Sequence, residues 1–122
     1  MYLIKNAKIY APEYLGIQDV LIGGGKILKI AEKLPVECAY DVEVIDGTGK
    51  LLMPGLIDAH WHTTLAGITQ LDAMSADPGY IHLVAAREAE STLMRGFTTV
   101  RDPGGPSFAL KRAIDEGVIA GP

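Results

Sequence analysis

The sequence predicts an α/β protein, with a small β-rich segment over residues 1–53 and strand–helix units of a parallel sheet over 54–122. Three observations carry this reading. Residues 2–52 hold strand and turn signals without helix signals; Pro54-Gly55 breaks that pattern; and from Leu56 onward the order is strand, helix, strand, helix.

In the first segment, β-branched and aromatic residues are bounded by glycine, proline and acidic residues. Asp19 to Ile22 and Lys26 to Ile30 flank Gly23-Gly24-Gly25, which supplies the positive φ angles of a tight hairpin. A second strand pair is expected around Val42 to Ile45 and Lys50 to Met53, across Gly47-Thr48-Gly49. Together these make a small β-sandwich or open sheet.

After Pro54-Gly55, Leu56 to His60 reads as a short apolar strand suited to a covered parallel sheet, followed by a loop of about a dozen residues. Asp77-Pro78 then supplies an N-cap and a proline at the first helical position, and Gly96 stands where a helix C-terminus wants it. Ile81, Val84, Ala85, Leu93 and Met94 form the apolar stripe between them. Phe97 to Val100 is the next buried strand. Ser107 can cap a second helix whose buried side is Ala109, Leu110, Ala113 and Ile114, ending at Gly117. Such units build an open sheet or a closed barrel. A barrel of eight units takes about 250 residues, so the sequence is read as truncated or as one piece of a larger protein.

The 122 residues are 48% hydrophobic and 21% charged, within the ordinary globular range. A net charge of −4 with interspersed signs leaves no basic face for a nucleic acid. No apolar run approaches the roughly 20 residues of a membrane span, and MYLIKNAKIY is not a secretory signal. With one cysteine, Cys38, no intrachain disulfide can form, so a reducing compartment, the cytoplasm, is expected. The expected partner is a small-molecule substrate.

The chemistry concentrates in Pro54 to His62, PGLIDAHWH. Side chains alternate along a strand, so His60 and His62 project to one side and Trp61 to the other. Two neutral imidazoles converging at a strand's C-terminal end can hold one zinc, and that end is where α/β barrels place their chemistry. Asp58 lies on the same face and either orients a ligand histidine or bonds the backbone. Asp102 follows the second barrel strand, where loop residues reach substrate, although Asp-Pro-Gly is also ordinary turn chemistry. His82 reads as a helix-surface residue and Trp61 as packing. GGGK at Gly23 to Lys26 lacks the Ser/Thr and the helix of a phosphate loop, and Cys38 has no partner that would make it a nucleophile.

PGLIDAHWH resembles the PGxIDxHxH signature of the amidohydrolase superfamily, and Gly96 to Asp102 resembles that superfamily's second barrel strand. The resemblance implies a small β-sandwich fused to a (β/α)8 TIM barrel, here truncated. It implies that His60 and His62 bind the more buried ion of a mono- or binuclear zinc site. The other ligands are then a bridging carboxylated lysine or glutamate, two further histidines and an aspartate general base, all expected beyond residue 122. The implied activity is hydrolysis of an amide or other C–N bond, of a dipeptide or N-acyl amino acid, by metal-activated water. Tyr10 to Glu13 and GIQDVLIGGGKILKIA resemble the start of isoaspartyl dipeptidases. Arg87 to Pro122 resembles the metal-dependent prolidase and arginine/lysine carboxypeptidase branch, and TTLAGITQ after His62 favours that branch. The alternative is a catalytically incomplete module that self-associates, or pairs with the missing C-terminal portion, through its open sheet edge.

Overall fold

Strand β1 (Tyr2–Tyr10) pairs antiparallel with β2 (Tyr14–Gly23), and β2 pairs antiparallel with β3 (Lys26–Ala31). The computed structural model describes residues 1–35 and 41–122; Cys38 lies outside the described residues. Gly24 and Gly25 close the β2–β3 hairpin at φ 58° and 71°, as a two-residue turn between right-twisted strands requires.

β4 (Glu43–Asp46) and β5 (Leu51–Leu52) do not pair with each other, contrary to the sequence expectation. Each lies parallel to β1, β4 along Tyr2 to Lys5 and β5 along Lys8 and Ile9. The intervening turn steps sideways rather than reversing. Gly47 N donates to Lys5 O at 2.8 Å, Lys50 N to Gly47 O at 2.9 Å and Lys8 N to Lys50 O at 3.0 Å. A Cβ on Gly47 would sit 2.8 Å from Lys5 O, so the close approach needs glycine.

β1 also carries a bulge. Its register with β2 shifts between Ile4 and Ala7, and Asn6 takes φ 57°. The bulge is held by Asp19, fully buried in β2, whose carboxylate accepts from Asn6 N and Leu34 N, each at 2.9 Å. Ala7, Ile9 and Val20 are buried on the same sheet, with Ile4, Ile22 and Leu52 packed against them. The architecture in residues 1–54 is one mixed open sheet among the described residues.

The second unit, Gly55–Pro122, begins with β6 (Leu56–Asp58), which pairs in parallel with β7 (Phe97–Val100). The crossover holds α1 (Thr63–Ala66), α2 (Gln70–Ser75) and α3 (Pro78–Met94); α4 (Phe108–Asp115) follows β7. The expected dozen-residue loop therefore contains two short helices. Thr69 caps α2, its hydroxyl accepting from Asp72 N at 3.1 Å, a local signal that four- and six-residue helices give only weakly.

α3 has the expected ends. Asp77 Oδ1 accepts from Gly79 N at 2.7 Å, and Gly96 adopts φ 95° while donating to Leu93 O. Its buried face is Val84, Ala85, Ala89 and Thr92, whereas Met94 is 80% exposed, because the last turn rotates it off the stripe. In α4 Leu110 is buried, Ala113 and Ile114 are partly buried and Ala109 is exposed, against expectation. Trp61, Ala85, Ala89 and Leu110 form the core of this unit, with Val100, Ile114 and Ile119 against it. No helix among the described residues is long and apolar enough to cross a membrane.

Two outcomes are expected. Burial pushes the Asp19 pKa up, but the N–H groups of Leu34 and Asn6, with Lys5 and Lys33, outweigh it and hold the carboxyl below its ordinary 3.8. A depressed native value means that this stabilisation is present above pH 3.8 and is lost as pH falls through the native pKa. Asp19→Ala should lower stability at neutral pH by about 1–3 kcal/mol and flatten the acid limb of a urea-midpoint-against-pH curve. Gly55→Ala would drive a Cβ into the Thr98 side chain across the β6–β7 pair; its thermal midpoint should fall, with partial recovery in Gly55→Ala/Thr98→Ala.

Candidate functional site

β6 ends at Asp58, so His60 and His62 follow the strand rather than lie in it. The backbone ladder nevertheless continues: Arg101 N donates to Asp58 O at 2.8 Å and Trp61 N to Arg101 O at 2.9 Å. The chain bends at Ala59 and His60 between these bonds. Trp61 turns into the core at 9% exposure, and the two histidines turn outward.

Their rings meet edge to face, with centroids 5.1 Å apart and the two Nε2 atoms 3.2 Å apart. Asp58 Oδ1 accepts from His60 N at 3.0 Å, closing a turn that carries His60. Asp58 therefore bonds the backbone of His60 itself. His62 Nδ1 lies 3.3 Å from Gly104 O and 3.7 Å from Asp102 Oδ1.

Asp102, its side chain 10% exposed, is the polar centre of the loops. Its Oδ2 accepts from Thr63 N at 3.2 Å and from Thr63 Oγ1 at 2.8 Å, and its Oδ1 accepts from Gly104 N at 3.2 Å. It thus ties the first turn of α1 to the loop after β7. Thr63, 2% exposed, and the Gly104 carbonyl are participants that the sequence reading missed. The turn signature Asp-Pro-Gly-Gly announced a loop held by Asp102, but nothing local announced what that loop would touch.

His82 lies on α3, away from the pair in sequence and element. Among the described residues no group of three or more His, Cys, Asp or Glu side chains is arranged to hold a metal. A cavity of about 470 Å³ lies against β7 and α4, lined by Trp61, Val100, Asp102, Phe108 and Leu110 among others, and neither His60 nor His62 lines it.

Removing the Asp102 carboxylate strands the two buried Thr63 donors. Asp102→Ala is expected to cost about 1–3 kcal/mol, read as a lower urea midpoint with unchanged slope. Thr63→Val, which removes only the hydroxyl donor, should cost less.

Residues 51–122 match the model of the amidohydrolase family. The chain is 40% identical over 102 residues to a dihydroorotase of Streptococcus thermophilus (strain CNRZ 1066), covering 82% of this chain and 21% of the relative. It is 33% identical over 73 residues to an allantoinase of Desulfitobacterium hafniense (strain Y51), covering 60% and 16%. The crystal structure of a prolidase complexed with N-methylphosphonate-L-proline superposes with a TM-score of 0.83 at 30% identity, over 99% of this chain and 30% of that one. The chain thus spans about a fifth of the length of the curated relatives it matches. An α/β arrangement shared with these structures and a family match beginning just before PGLIDAHWH lead to one assignment: the chain belongs to the amidohydrolase family.

Proposed function

We propose that this chain carries the first part of a metal-dependent hydrolase of amide or other C–N bonds, with His60 and His62 as ligands to one divalent ion, zinc. The observation that carries the proposal is the approach of the two Nε2 atoms to 3.2 Å at the end of β6. Two nitrogens on one tetrahedral zinc, each at about 2.0–2.1 Å, stand roughly 3.3 Å apart, so the donor set fits the ion. When bound, zinc lowers the pKa of a coordinated water and polarises the scissile carbonyl.

The residues of this chain hold and orient. His60 and His62 offer neutral nitrogens, Asp58 fixes the turn bearing His60, and Asp102 fixes the loops around His62. Two donors do not fill a zinc coordination sphere; the remaining ligands and the general base are proposed to come from chain beyond residue 122. The substrate class proposed is a dipeptide or an N-acyl amino acid, supported by the likeness to the prolidase structure. The dihydroorotase and allantoinase relatives support C–N hydrolysis as the broader class.

Zinc titration and steady-state hydrolysis test the reading. The 122-residue chain should bind zinc weakly and turn over no dipeptide, and His60→Ala or His62→Ala should remove the binding. In a longer protein containing this chain, either change should reduce kcat/KM by more than the roughly 10–100-fold typical of a residue that only supports a ligand. Zinc binding unaffected by both substitutions would refute the assignment. Tight stoichiometric zinc in the 122-residue chain would refute the claim that further ligands are needed.

A further inference from the structure

The two histidines stand in unlike surroundings. His62 Nδ1 faces two acceptors, Gly104 O at 3.3 Å and Asp102 Oδ1 at 3.7 Å, neither of which can donate. A neutral imidazole beside acceptors alone keeps its proton on that nitrogen. His62 Nε2 is then left with a lone pair, directed at His60 Nε2 3.2 Å away. No hydrogen-bond partner is found for His60 Nδ1 among the described residues; its ring contact is with His62.

The Gly104 carbonyl is not free to drift. Asp102 Oδ1 accepts from Gly104 N, and the same carboxylate grips Thr63, the residue after His62. A Cβ at Gly104 would already lie 3.4 Å from His62 Cε1. Gly105 takes φ 106°, and a Cβ there would meet Thr64 Oγ1 at 2.6 Å. Gly105 lets this backbone lie against Thr64, which a side chain at that position would prevent.

We infer that the loop from Asp102 to Gly105 sets the tautomer of His62: the Gly104 carbonyl, positioned by Asp102, holds the proton on Nδ1 and leaves Nε2 ready to bind a cation. His60 has no such constraint, so it is the member of the pair that changes tautomer when an ion binds. Asp102 is here a positioning residue that acts through the Gly104 backbone. The inference deepens the proposed metal site and rests on it for its purpose, although the tautomer itself can be observed without metal.

The test is long-range nitrogen–proton NMR on the histidine-labelled 122-residue chain, with zinc titration alongside. The expected result is His62 in the Nδ1–H form without metal. Asp102→Ala and Gly105→Ala should each give mixed tautomers at His62 and weaken zinc binding by about 10–100-fold. Thr63→Val, which loosens the same loop contact without touching the Asp102–Gly104 bond, should leave the tautomer unchanged. Backbone amide spectra identify any variant that fails to fold, and either of the two altered loops suffices. An Nε2–H form of His62 in the unaltered chain, or folded Asp102→Ala and Gly105→Ala with the original tautomer, overturns the inference. So does a shift in Thr63→Val as large as that in Asp102→Ala. If instead the tautomer behaves as expected but His60→Ala and His62→Ala leave zinc binding intact, the metal reading fails and the tautomer control stands.

Discussion

The parallel pairing of β6 with β7 is the constraint from which the candidate site follows. Parallel strands cannot be joined by a short turn, so a long crossover must separate them in sequence. Here α1, α2 and α3 fill it, and residue 102 is brought beside residue 62. The ladder does not stop where the regular strands stop. Arg101 receives and gives backbone hydrogen bonds on both sides of the histidine turn, which fixes that turn against the following loop before any side chain contributes.

Trp61 converts this backbone arrangement into a directed pair of imidazoles. Its indole packs with Ala85 and Ala89 of α3 and Leu110 of α4. Truncating a buried aromatic of this size costs about 3–5 kcal/mol, so the register of the segment is tied to the core. Trp61 points inward and its two neighbours are more exposed, although the histidines are not strand residues. The core and the candidate site are therefore two sides of one short stretch of chain.

The sequence was informative wherever the determining physics was local. The two-glycine hairpin, the Asp77-Pro78 helix start and the Gly96 stop depend on backbone preferences of single residues, and these elements stand where expected. The separate parallel pairing of β4 and β5 with β1 was not legible, because it joins them to residues about forty positions earlier in the chain. Met94 and Ala109 fit a helical period yet are exposed, because periodicity near a helix end says little about which neighbour is present. In the site, the i, i+2 spacing pointed to His60 and His62 standing together, although the strand that was to carry them ends at Asp58. The Thr63–Asp102 bonds were not foreseeable, since they join residues 39 positions apart.

The polar arrangement also separates what holds from what is offered. Thr63 is buried and Asp102 partly buried, and their side-chain bonds are made within the chain; no buried side-chain nitrogen or oxygen among the described residues lacks a partner. The histidine Nε2 atoms, by contrast, face only each other. A satisfied support beneath more exposed ring nitrogens is the arrangement that preorganisation uses, because the support fixes geometry. Barrel pockets are assembled from several βα loops, and this chain supplies the loops after β6 and β7.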